Sequence, residues 1–177
     1  MGQYYFAVIL DEEGEIVAWM NACAYDEGVK LMEHSYINSV FVNAVEFSLS
    51  PEGDYYKTRV VWAGDYADDE QRYYKKNLHA LCNDDETKLI RPEPRRATEY
   101  RYIVNHTKKQ YVDKSKVQNI HPLPLLTAEG NGRGGGDLYD APAFVGSWAR
   151  DVISVEEALP EEEENFQELA FVFSTDE

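Results

Sequence analysis

The chain opens on a nearly unbroken apolar run. QYYFAVIL (3–10) gives way to the polar DEEG (11–14), and EIVAWM (15–20) is apolar again. Two β-prone runs around a short loop with a glycine predict a hairpin. RYIV, NHTKK and QYV (101–112) repeat the pattern and predict a second hairpin. KTRVVWA (57–63) predicts a strand that runs into the turn GDYADDE (64–70), and WARDVISV (148–155) predicts another. ELAFVFS (168–174) is a last strand or a docked helix, since periodicity does not separate the two for so short a run.

Helical spacing appears elsewhere. Asp26 can cap a short helix through GVKLMEHSY (28–36). Asn38 or Ser39 can cap a second through VFVNAVEFSL (40–49), where Phe41, Ala44, Val45 and Leu49 share a face. Ser50-Pro51 ends it, because a residue before proline avoids the α region. Tyr74, Leu78 and Leu81 stand at i, i+4 and i+7, which predicts a helix over 71–82. Residues 83–98 are polar and proline-bearing and read as a loop. HPLPLL (121–126) is expected to be extended by its two prolines. Ser154 and Glu157 can form a capping box over a short turn before Pro160. There is no internal repeat and no regular strand–helix alternation. The expected fold is a single α+β domain over 1–177, a mainly antiparallel sheet built from hairpins with two to four packed helices.

Composition supports a packed core. The chain has 177 residues, 44% of them apolar and 13% aromatic. No run approaches the roughly 18 apolar residues of a membrane span. The N-terminus has no basic segment before its apolar run, so no secretory signal is expected. Two cysteines, Cys23 and Cys82, make no disulfide framework and no CxxC pair, as expected of free thiols in a reducing cytosol.

Charge changes the picture most. Asp and Glu number 33 against 17 Lys and Arg, a formal net of −16. Such a chain repels nucleic acid, whose affinity comes from cations displacing counterions. It can attract a basic protein surface, or simply stay soluble. The acidic clusters Asp65, Asp68, Asp69 and Glu70, then Asp84, Asp85 and Glu86, are the candidate partner contacts. The C-terminal segment 156–177 is acidic and has no Lys or Arg, and its stretch 156–168 is a third candidate contact.

The second candidate is EGNGRGGGD (129–137). Gly130, Gly132 and Gly135 match GxGxxG, but DLYDAP follows where the motif needs a helix to receive a pyrophosphate. A P-loop ending is also missing. Backbone amides beside the Arg133 guanidinium remain able to hold an anion. A ligand pocket here would draw on His106, His121, Glu129, Asn131, Arg133, Asp137 and Arg150. No two histidines share metal-ligand spacing, DYADDE lacks the calcium-loop form, and no serine sits in a GxSxG elbow. Neither metal nor cofactor is expected, and catalysis stays open.

MGQYYFAVIL, GVKLMEHSY, VVWAGDY, YIVNHTKKQYVD and HPLPLLTAEGNGRGGGD, followed by WARDVISV, together resemble a group of uncharacterised proteins from gut Firmicutes and their phages and mobile elements. Such proteins are similar to anti-CRISPR inhibitors of Cas9-type nucleases. The resemblance spans most of the chain and transfers no functional residue. It implies an inhibitor whose carboxylates occupy positively charged surfaces made for phosphates.

Overall fold

The computed structural model describes residues 3–73, 75–96, 99–130, 132–133 (backbone only), 142–163 and 165–172. Among these residues nine strands form one sheet. In chain order they are β1 (Tyr5–Leu10), β2 (Ile16–Met20), β3 (Thr58–Gly64), β4 (Tyr102–Asn105), β5 (Gln110–Asp113), β6 (Ala128–Gly130), β7 (Gly132–Arg133), β8 (Val152–Glu156) and β9 (Gln167–Glu168). The main path runs β2-β1-β3-β8-β4-β5-β9. Every neighbouring pair is antiparallel except β5–β9 and the side pairing β3–β6. The α+β reading and its hairpin-built antiparallel sheet hold, with four helices: α1 (Leu31–His34), α2 (Val40–Ser48), α3 (Leu78–Asp84) and α4 (Pro122–Leu126).

The apolar opening run has a structural cause. All six residues of β1 are buried, because the strand is covered on both faces. Tyr5, Ala7 and Ile9 point into the larger core, with Phe41, Val45, Trp62 and Leu123. Phe6, Val8 and Leu10 point into a smaller one, with Trp19, Val61, Leu78 and Cys82. Side chains alternate along a strand, so one strand feeds both cores.

Several elements depart from the sequence expectation. Asp26 takes a left-handed conformation (φ 59°) that closes the 3-10 turn Ala22–Tyr25, and α1 starts after Lys30. α2 is capped by Ser39, whose Oγ accepts the Val42 amide at 3.1 Å. The helix expected over 71–82 forms only from Leu78. Ahead of it the Glu70 amide bonds the Lys76 carbonyl at 2.8 Å, and Tyr74 lies outside the described residues. Asn77 then caps α3, accepting the Ala80 amide at 2.9 Å. A local cap thus overrode the apolar spacing. Within the 83–98 loop, Glu86–Lys88 makes a 3-10 turn, and the Ile90 amide bonds the Trp19 carbonyl at 2.9 Å.

HPLPLL is helical, not extended. Pro122 stands at the first helical position, where a missing N–H costs nothing because first-turn amides have no intrahelical partner. The last expected element is two residues of β9 followed by irregular chain over 169–172, while 173–174 lie outside the described residues. The strand at 148–155 begins only at Val152. Ser154 caps nothing: it lies inside β8, and bends follow Glu156.

The larger core also encloses charge. Glu46 of α2 is 1% exposed, and Lys114 Nζ donates to its Oε2 at 2.6 Å. His121 Nε2 stands 2.9 Å from Glu46 Oε1, off the ideal hydrogen-bond line. His121 Nδ1 accepts the Leu123 amide, so the ring proton is on Nε2 and faces the carboxylate. Burial pushes the Glu46 carboxyl up, but His121 and Lys114 together bring it below its ordinary value. His34 is equally enclosed. Trp62 Nε1 donates to its Nε2 at 2.9 Å, so its Nδ1–H goes to the Gly28 carbonyl. His79 stacks on Phe6 with centroids 4.0 Å apart.

Burial lowers the proton affinity of His34, His79 and His121 below the ordinary 6.5. The unfolded chain therefore binds protons that the folded one refuses. The stability these rings contribute is complete above about pH 6.5 and is lost as pH falls below it. Urea unfolding should show a free energy that drops from pH 6.5 to pH 5, by up to about 1.4 kcal/mol per pH unit for each histidine. His79→Phe should flatten that profile. A pH-independent midpoint over this range would contradict the neutral assignment.

Candidate functional site

Two places gather polar groups: an acidic cleft beside the smaller core and a histidine site behind the second hairpin. The cleft encloses about 480 Å³. Its floor is Leu10, Ile16, Trp19, Leu78, Leu81 and Cys82. Its rim carries Glu12, Glu13 and Glu15 from the first hairpin turn, Glu70, and Asp84 and Asp85 from the end of α3. Arg59, Arg72, Lys88 and Arg150 stand among them, so acids outnumber bases on the rim by six to four. Burial pushes the Cys82 thiol up to about 12, which makes it a core residue and not a nucleophile.

The acidic candidates divide by task. Asp65 Oδ1 accepts the Tyr4 amide at 3.0 Å and ties the loop after β3 to β1. Asn77 Nδ2 donates to the Asp65 and Ala67 carbonyls, each at 3.0 Å, and so carries that loop onto α3. Asp84 pairs with Lys76. Asp85 accepts the Thr87 amide at 3.1 Å and lies 3.6 Å from Lys88; the Thr87 hydroxyl, first of all, holds its carboxyl below the usual range. Asp68, Asp69 and Glu86 are exposed and, like Glu13, form no ion pair among the described residues.

The candidates for a glycine-loop pocket come together only in part. Arg150 forms a two-pronged pair with Glu129, at 2.7 and 2.9 Å, and its other face meets Glu70. Burial disfavours the guanidinium charge, but the hydrogen bonds it donates to Glu129 and Glu70 outweigh it and raise its proton affinity. The guanidinium is thereby committed to two carboxylates. Arg133 lies on β7, whose backbone pairs with Glu129 and Gly130. Asn131 and Asp137 lie outside the described residues. His121 is in the core against Glu46, and His106 lies elsewhere, just after β4 and against Ser154 of β8.

No protein-family model, curated protein or solved structure matches the chain. Function is therefore read from geometry and charge.

His106 falls in NHTKK (105–109), the turn of the second hairpin, where a polar side chain would stand in solvent. Its side chain is instead 16% exposed. The His106 amide bonds the Val152 carbonyl at 2.9 Å, and Thr107 Oγ1 accepts the Val152 amide at 3.0 Å, which clamps the turn onto β8. Ring Nε2 meets Ser154 Oγ at 2.8 Å, and Ser154 Oγ donates to Glu156 Oε2 at 2.6 Å. Tyr56 donates to the same carboxylate at 2.9 Å. Nδ1 lies 3.3 Å from Glu163 Oε1. Burial, with help from Lys57, lowers the ring to about 4. Serine, histidine and glutamate stand here in nucleophile–base–acid order, but Ser154 is 0% exposed and its proton goes to Glu156, so it attacks nothing. Ser154 and Glu156 were findable as i, i+2 on one strand face. Glu163 was not, because nothing distinguishes it within EEEE (161–164).

Arg150 carries a checkable strain. It adopts φ 68°, a left-handed conformation that a side chain makes costly. Arg150→Ala should lower stability by about 1–3 kcal/mol, since Glu70 and Glu129 lose their cation. Arg150→Gly should be milder by about 1 kcal/mol, because glycine relieves the backbone. Urea midpoints give both values. A glycine variant no more stable than the alanine variant would refute the strain.

Proposed function

We infer that this protein is a non-enzymatic acidic docking protein whose partner is a basic, nucleic-acid-handling protein. One observation carries the reading. Acidic groups from the 11–15 turn, Glu70, and Asp84 and Asp85 border one cleft, Asp68 and Asp69 line a neighbouring hollow that shares Glu70, Arg72 and Arg150 with it, and Glu13, Asp68 and Asp69 form no ion pair among the described residues. Carboxylates that hold local structure need no partner. Glu13, Asp68, Asp69 and Glu86 hold none by side chain among the described residues, and their charges are open to a guest. A net charge of −16 extends the same field over the molecule. The apolar floor of the cleft would receive one side chain of the partner, with the acidic rim aligning it.

The resemblance to anti-CRISPR inhibitors makes a Cas9-type nuclease the first partner to try. Its guide and target strands lie in positively charged channels, where an array of carboxylates can stand in for phosphates. The alternative, a nucleotide- or phosphate-binding protein built on the glycine loop, has less support, because Arg150 already serves two carboxylates.

The test is binding of a Cas9–guide complex at two salt concentrations, with DNA cleavage followed in parallel. Kd should weaken at least about tenfold between 50 and 300 mM salt, as exposed charges are screened within a Debye length. Reversing Glu13, Asp68, Asp69 and Glu86 to lysine should weaken it further while leaving Tm within about 2 °C, since exposed charges contribute little to folding. Capture that ignores both salt and charge reversal would defeat the acidic-face reading, and no capture at low salt would remove Cas9 as the partner.

A further inference from the structure

The histidine site presents a combination of groups that its own hydrogen atoms do not satisfy. A ring nitrogen of His106 and one carboxylate oxygen from each of Glu156 and Glu163 lie within 4.8 Å of one another. Glu156 is 4% exposed and Glu163 is 2% exposed. The short turn Glu161–Glu163 turns Glu163 inward, its amide held by the Pro160 carbonyl at 2.8 Å.

The protons can be followed atom by atom. The Ser154 hydroxyl gives its hydrogen to Glu156, so the Ser154–His106 contact takes its hydrogen from ring Nε2. A neutral ring then has a bare lone pair on Nδ1, and this is the atom that stands 3.3 Å from Glu163 Oε1. Acceptor faces acceptor. Among the described residues, neither Glu163 oxygen has a hydrogen bond. Lys57 Nζ approaches only to 3.9 Å, beyond hydrogen-bond reach, on a side chain that is 39% exposed. A buried carboxylate left in this condition is costly unless a cation completes it.

We propose that His106, Glu156 and Glu163 form a binding site for a divalent first-row transition ion such as Zn²⁺ or Mn²⁺. An imidazole nitrogen with two carboxylates suits these ions better than Ca²⁺ or Mg²⁺, which prefer all-oxygen shells, or Cu⁺, which prefers sulfur. The surroundings have the form of an outer shell. His106 Nε2–H donates to Ser154, which fixes the ring with Nδ1 turned toward Glu163, and Ser154 and Tyr56 both donate to Glu156. Three protein ligands leave a coordination position for water or a small anion. Lys57, being half in solvent, swings aside. The site is remote in composition from the acidic cleft and shares no residue with its lining.

The test is thermal unfolding of the metal-stripped full chain titrated with ZnCl₂ and, separately, MnCl₂, with stoichiometry from calorimetry. At a hundredfold excess over Kd, Tm should rise by roughly 5–10 °C, with one ion bound per chain. Glu163→Gln should abolish that rise and yet, without metal, melt no lower than the native protein, because an amide is easier to bury than an unpartnered carboxylate. His106→Ala should also abolish the rise. Absence of binding by either ion, or single-site binding that survives Glu163→Gln, would overturn the proposal.

Discussion

Strand β3 has two edges and three partners. β1 takes the whole of one edge, from Tyr5 opposite Gly64 to Leu10 opposite Arg59. The other edge is divided. β8 pairs antiparallel with Thr58 and Arg59, and β6 pairs parallel with Trp62 and Ala63. The two incoming strands must part in the middle, and Arg150 stands at the parting. Its amide bonds the Val60 carbonyl at 2.8 Å, and its left-handed backbone turns the chain into β8. Its side chain reaches Glu129 of β6 and Glu70 of the loop after β3. One residue thus holds both arms of the fork and the near wall of the acidic cleft. Gly64 serves the same crowding, since a Cβ there would come within 2.8 Å of the Glu129 carbonyl oxygen.

The divided edge also explains how the chain arranges its two cores. β1 and β3 lie side by side at the centre of the first half of the sheet, and alternate residues of each go to opposite faces. α1, α2 and α4 cover one face, while α3 covers the other. Because α3 is short, its end and the polar turn before it open onto the cleft.

Buried charge is handled in two contrasting ways. Glu46 has a lysine hydrogen bond and a histidine contact within the core, so its carboxylate is compensated where it stands. Glu163 is as deeply buried but faces a ring lone pair and another carboxylate, Glu156. Burial, then Glu156, pushes the Glu163 carboxyl up, while Lys57 opposes them. The first arrangement is self-sufficient and ties α2 to the segment before α4. The second asks for a proton or a metal, and that difference marks the one as architecture and the other as a site.

The hairpins, the Ser39 cap and the α2 core face were legible because they depend on alternation, helical spacing and turn chemistry over a few residues. The same local rules failed where tertiary contacts competed. Tyr74, Leu78 and Leu81 have helical spacing, yet Asn77 caps at the middle of the run while bonding the loop at Asp65 and Ala67. Two prolines in HPLPLL read as extended, yet they fall in a first helical turn that needs no amide. Among the sites, the acidic clusters were visible by charge alone, but which carboxylates are committed and which are open was not. What the sequence determined by itself is an acidic α+β chain with an antiparallel sheet, since period and charge are written residue by residue. Which side chains meet was decided only by the tertiary structure. His106 meets Ser154 and Glu156 because β4 and β8 pair in one register, and the turn Glu161–Glu163 brings Glu163 to them from a later stretch of the chain.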